Sequence, residues 1–275
     1  MARTTLCSRA PQGPIPSRLR RSPMLLTRVA LWCAPSPAPC RLLRAFDRRD
    51  DCAVSDEPLA PAYLAHTRRF EREDETRLFE DLTLWNETVE RLRAAPLSPP
   101  GCEAPRLWVQ KHMAKQLLLH TDRDWLTGFQ HVFLLRDPRL VIAQSHSDSG
   151  LAYIEDTCVP HQLEIYRWVR STMNLSPIVL REQNLLNDPG RVLTRLCDLL
   201  GLTDDPAMLG AFQPDCPTHE DGDACWYSDD GQLTSDAREK IHEAEERHAS
   251  LIRRCRAMQN ELLQSELRGV CSTSS

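Results

Sequence analysis

Apolar and polar positions along this chain alternate between short buried-strand runs and longer helical stripes. Residues 27–34 (TRVALWCA), 52–55, 106–109, 131–135 and 177–180 are apolar runs of strand length bounded by turn residues. Between them lie helical patterns. Residues 40–49 carry Leu42, Leu43 and Phe46 on one face, and residues 70–95 carry Phe79, Leu82, Leu84, Trp85, Val89 and Leu92. Shorter helices are predicted over 60–66, 114–119, 164–173 and 192–200, the last stopped by Gly201 at its C-cap. Residues 236–267 read as one long helix. Strands alternating with helices at this spacing predict an α/β fold, a mainly parallel sheet with helices on both faces and a long C-terminal helix. Residues 96–105 and 206–233 are turn-rich connections, and there is no internal repeat.

Composition narrows the class. The chain has 275 residues, 41% of them hydrophobic and 27% charged, enough for one sizeable domain, read as residues 27–267. A net charge of −5 argues against a general nucleic-acid binder, and no apolar run has the ~18 residues of a membrane span. Eleven cysteines are scattered without a C-x-x-C pair, and no histidine pair has zinc-finger spacing, so no metal site is expected. Their odd number and dispersion suit a reducing compartment, cytoplasmic or organellar. The first 46 residues hold eight arginines and no acid. Residues 1–26 therefore read as a transit-like segment or a disordered basic leader, and residues 268–275 as a frayed tail.

Candidate chemistry concentrates in four segments. In HVFLLRDPRLVIAQS (131–145) an apolar strand breaks into Arg-Asp-Pro and resumes as a helix, with Asp137 as N-cap and Pro138 in the first turn. Arg136 thus falls at a strand's carboxyl end beside a helix N-terminus, where α/β sheets bind ligands and helix amides favour anions. The same pattern also fits a plain surface turn with a solvated arginine. In Val109-Gln110-Lys111-His112-Met113, His112 is placed just past a strand end, where a neutral imidazole is a candidate general base or a plain capping or hydrogen-bonded surface residue. Asp56-Glu57-Pro58-Leu59, followed by Tyr63-Leu64, offers a carboxylate that orients a substrate or base, or merely an N-cap. Residues 185–201 (LLNDPGRVLTRLCDLLG) carry an apolar stripe that speaks for fold more than chemistry.

Taken in order, these segments resemble sulfotransferases that use 3′-phosphoadenosine-5′-phosphosulfate (PAPS), a family with a P-loop NTPase-like fold. FLLRDPRLVIA is similar to its 3′-phosphate-binding segment. The family's serine eight residues after the arginine is Gln144 in this chain, with Ser145 one later. The resemblance implies Arg136, Ser145 and Gln144 as 3′-phosphate contacts. His112 would be the base, and Lys111 a cation within reach of the sulfuryl oxygens, since Gln110 stands where the family has lysine. Glu57, in an Asp-Glu-Pro-Leu motif shared with bacterial and algal members, joins them. The activity implied is sulfuryl transfer from PAPS to a hydroxyl or amine of a small acceptor, with no metal. The resemblance spans roughly residues 27–210. A P-loop NTPase proper would need Gly-Lys-Ser/Thr after the first strand, which is absent.

The first loop departs from the family. Where Gly-Pro-Arg-x-x-Ser-Thr is expected, the chain reads Ala34-Pro35-Ser36-Pro37-Ala38-Pro39-Cys40. Three prolines remove three amide donors, and no glycine lets the backbone close on a phosphate. At roughly 1.5–3 kcal/mol per hydrogen bond to a charged group, three lost donors amount to about 5–9 kcal/mol. Micromolar binding is only about −8 kcal/mol. Ser36 and Arg41 are the polar groups left to serve the loop. The sequence therefore leaves two alternatives open, an active transferase and a degenerate member that keeps the fold as a binding or scaffold protein. Residues 213–233, with Trp226-Tyr227, are a candidate acceptor-side lid or an ordinary surface loop, and the oligomeric state is not readable.

Overall fold

A computed structural model describes residues 26–68, 75–94, 96, 105–119, 121–150, 152–213, 226 and 233–264. The expected leader, apart from residue 26, and the expected tail lie outside them, as does most of the 96–105 connection.

Among the described residues, five parallel strands form one sheet in the order β2-β3-β1-β4-β5. They are β1 (Thr27–Cys33), β2 (Cys52–Asp56), β3 (Leu107–Met113), β4 (Phe129–Leu135) and β5 (Ile178–Arg181). β1 is central, paired with β3 from Thr27↔Leu107 to Cys33↔Met113 and with β4 from Arg28↔Phe129 to Trp32↔Phe133. Burial on both faces explains why β1 and β4 read as continuous apolar runs rather than alternating ones. Because the chain leaves β1 toward β2 and β3 and then crosses to β4 and β5, a crevice opens at the carboxyl ends of β1 and β4.

Eight α-helices cover the sheet among the described residues: α1 (Pro37–Asp47), α2 (Ala60–Arg68), α3 (Glu75–Arg93), α4 (Pro138–Ser149), α5 (Val159–Thr172), α6 (Glu182–Asn187), α7 (Pro189–Leu200) and α8 (Ser235–Leu263). One face packs Val29, Leu31, Val109 and Leu134 against Leu42 and Phe46 of α1 and Leu193 and Leu196 of α7. The other packs Ala30, Trp32, Trp108 and Phe133 against Trp85 and Val89 of α3 and Leu163 and Tyr166 of α5. A third cluster joins Leu140, Ile142 and Ala143 of α4 to Ile241, Ala244, Ile252 and Cys255 of α8. Thus α8 packs on its own domain, with a break in helical geometry at His248. No described helix is long and apolar enough to cross a membrane.

Several boundaries differ from the sequence reading, each for a physical reason. β3 does not end at Val109. Backbone pairing with β1 carries it through Met113, so the polar Gln110-Lys111-His112 is strand rather than a turn. The helix expected over 114–119 is a single tight turn, Ala114–Gln116. α1 begins three residues early because Ser36 caps it and Pro37 and Pro39 occupy a first turn that needs no N–H. α5 likewise starts at Val159, and α6 fills part of what read as loop. α4, its Asp137 cap and the left-handed Gly201 after α7 match the expectation. From the segment 213–233 only Gln213, Trp226 and Leu233 are described. Trp226 is buried in the α4–α8 cluster, which is a packing role.

Candidate functional site at the strand ends

Ser36 follows β1 and Arg136 follows β4, so the crevice brings both side chains together from positions 100 residues apart. Arg136 is 2% exposed. Its Nη1 donates to the Pro35 carbonyl and, at 3.2 Å, to Gln144 Oε1. Its Nε lies 3.8 Å from Glu182 Oε1, while Nε and Nη2 have no hydrogen-bond partner. Gln144, eight residues on and so two helical turns along α4, is the residue that meets Arg136; Ser145 is half-buried beside it. From α8, Gln259 Nε2 donates to the Arg136 carbonyl at 2.7 Å. From α5, Gln162 Nε2 donates to the carbonyls of Trp32 and Leu134 at 3.1 and 3.0 Å, tying the ends of β1 and β4 together. These contacts lock the backbone on which the guanidinium is mounted.

A cavity of about 440 Å³ opens beside Arg136. Arg136, Arg139, Arg181 and Arg256 line it, together with Asp137, Glu182, Gln183, Gln259 and Asn260. Arg139 is engaged by Asp137 at 2.6 Å and Glu245 at 3.3 Å. Such a space, with several guanidiniums converging on it, suits an anionic ligand of nucleotide size.

The loop after β1 is differently equipped. Ser36 is buried, and its Oγ accepts from Ala38 N at 3.2 Å and donates to Glu182 Oε2 at 2.6 Å. The one non-proline amide between Pro37 and Pro39 is thereby used by the helix's own cap. Arg41 sits half-buried on α1.

Strand alternation splits the other candidates. Lys111 points to the α1 side of the sheet and His112 to the opposite side. Lys111 Nζ is held at 2.7 Å from Asp56 Oδ1, 3.1 Å from Glu57 Oε1 and 3.2 Å from Cys40 Sγ. Burial pushes this amine down, but the hydrogen bond to Asp56 together with the charge of the surrounding groups outweighs it, so Lys111 stays charged. Glu57 also accepts from Gln116 Nε2 at 2.7 Å and has a left-handed backbone, φ 44°, a local cost for a non-glycine residue.

His112 is not at a strand's exposed end. It is wholly buried, stacked on Trp32 at 4.8 Å and edge-on to Trp125 at 6.0 Å, with neither ring nitrogen hydrogen-bonded. Burial, with His131 adding to it, pushes its pKa down to about 3. It is therefore neutral at physiological pH. No group of three or more metal-ligating side chains occurs among the described residues.

Glu182, Arg139, Arg181 and Arg256 were not singled out from sequence. An acid opening a helix, an arginine ending a strand and two arginines on helices look ordinary until the fold gathers them at one crevice.

The family model for the sulfotransferase domain matches residues 27–237, most of the chain. The protein belongs to the sulfotransferase domain family. Two Arabidopsis thaliana proteins are similar to it. Branched-chain-amino-acid aminotransferase-like protein 2 is 28% identical over 181 residues, and its namesake protein 1 is 25% identical over 178. These matches cover 66% and 65% of this chain but 31% of each relative, so the chain spans about a third of their length. Among solved structures, the sulfotransferase domain from the Synechococcus PCC 7002 olefin synthase is 16% identical, with TM-score 0.45 over 84% of this chain and 97% of that one. The sulfotransferase domain from the curacin biosynthetic pathway is 14% identical, with TM-score 0.41 over 82% and 98%.

Proposed function

We propose that the chain binds a 3′-phosphoadenosine nucleotide in the arginine-lined cavity and transfers the sulfuryl group of PAPS to a hydroxyl or amine of a small acceptor. The observation that carries this reading is Arg136, a buried guanidinium with two nitrogens lacking hydrogen-bond partners, at the wall of a cavity of about 440 Å³. Unmet donors on a buried cation are costly, and an anion offers them a bidentate partner. In this reading Arg136, with Gln144 and Ser145, holds the 3′-phosphate. Lys111, kept charged by Asp56 and Glu57, faces the leaving phosphate, with Arg41 as the second loop cation. The acceptor oxygen or nitrogen bonds to sulfur as the bond from sulfur to the 5′-phosphate oxygen breaks. His112, neutral and so able to accept, takes the acceptor's proton. Its depressed pKa makes it a weak base, and the acceptor has to reach it between Trp32 and Trp125.

A second reading is favoured by the loop after β1. Pro35, Pro37 and Pro39 offer no N–H, and the Ala38 amide is bonded to Ser36. That loop fits a 5′-phosphosulfate poorly, which supports a member that binds nucleotide or a partner without turnover.

Radiolabelled PAPS offered with pools of small alcohols and amines separates the two. Label transfer supports the first reading. Nucleotide binding without transfer supports the second. In the first case His112→Gln is expected to retain nucleotide affinity and lose at least 100-fold in turnover, within the range general-base loss produces. Undiminished turnover would remove His112 from the mechanism.

A further inference from the structure

We infer that Glu182 is a built-in competing anion that an incoming phosphate or sulfate group must displace from the end of the cleft. The inference rests on the anion-binding reading of the cavity. Three observations converge on it. The Glu182 carboxylate is 2% exposed, although it forms part of the cavity wall. One of its oxygens accepts a hydrogen bond from the hydroxyl of Ser36, the N-cap of α1, at 2.6 Å. The other faces the Arg136 guanidinium at 3.8 Å.

A carboxylate set between a helix N-cap and a buried arginine stands where such folds favour an external anion. Two neighbouring cations are already paired. Lys111 is occupied by Asp56 and Glu57, and Arg139 by Asp137 and Glu245. Glu182 therefore faces the Arg136 guanidinium, two of whose nitrogens have unmet donors, and also engages the Ser36 hydroxyl at the loop. Its charge repels any ligand anion approaching Arg136. Its 3.8 Å separation, longer than a hydrogen bond, leaves the guanidinium able to change partners.

Glu182 is thus an affinity-setting residue rather than one that reacts. It weakens anion binding in the resting protein while keeping Arg136 oriented. The opposite role, a carboxylate that merely positions Arg136 for the ligand, makes the opposite prediction, because losing a positioning group lowers affinity.

The test is calorimetric titration of the full chain with adenosine 3′,5′-bisphosphate, and separately with inorganic pyrophosphate, comparing wild type with Glu182→Gln. The amide keeps the shape and removes the charge. Thermal unfolding of both proteins checks that the variant is folded, and Glu182→Ser serves as a smaller neutral substitute if the amide does not fold. The expected result is at least a tenfold gain in affinity for both probes. Unchanged or weaker binding overturns the inference. Wild-type binding without a gain in the variant leaves the nucleotide reading standing and removes only the role of Glu182. Absence of binding in both proteins removes the nucleotide reading as well.

Discussion

Arg136 meets a backbone carbonyl, an amide oxygen and a carboxylate, yet two of its three nitrogens make no hydrogen bond. Replacing it with lysine keeps the charge and removes the planar fork that chelates a phosphate. Arg136→Lys is expected to weaken adenosine 3′,5′-bisphosphate by roughly 10–100-fold, about one charged hydrogen bond. AMP, which lacks the 3′-phosphate, should change little. Equal losses for both nucleotides, measured by calorimetry, would contradict the assignment. This residue was legible in sequence because a strand, Arg-Asp-Pro and a helix together fix where its side chain begins. Glu182 was not, since an acid in a helix's first turn is common for reasons of the helix dipole alone. Only the fold shows that β5 ends beside Arg136.

Among the elements, β3 separates what sequence could and could not give. The strands, their order of appearance and the helical stripes followed from apolar runs. The length of β3 did not, because Gln110-Lys111-His112 carries no apolar pattern and is strand only through its pairing with β1. That pairing sends Lys111 to the α1 face and buries His112 on the other. The consequence is measurable. Burial lowers His112 to about 3 and His131 to about 4, against an ordinary value near ~6.5. Below that ordinary value the unfolded chain binds protons that the folded chain refuses. The stability present at neutral pH is therefore lost progressively as pH falls from about 6.5 toward 4. Urea midpoints should drop between pH 7 and pH 5, and His112→Phe, which keeps an aromatic ring against Trp32, should reduce that drop. A midpoint that holds steady or rises on acidification would contradict the buried, neutral assignment.

At the scale of the whole molecule, a chain of net charge −5 gathers four arginines around one cavity. In the proposed reading, local field rather than overall charge governs anion capture, and binding should weaken as salt rises. The long C-terminal helix takes part in this. α8 lies on α4 and α5, contributes Arg256 to the cavity wall, and holds the Arg136 carbonyl through Gln259. Its existence was readable from periodicity, but its place over the crevice was not, because packing partners of a surface helix leave no local sequence mark. The most direct test of the account is calorimetric titration of the full chain with adenosine 3′,5′-bisphosphate against AMP at fixed, low ionic strength. The account expects micromolar binding of the bisphosphate and at least tenfold weaker binding of AMP. No heat with millimolar bisphosphate in a folded protein, or equal affinity for the two nucleotides, would contradict it.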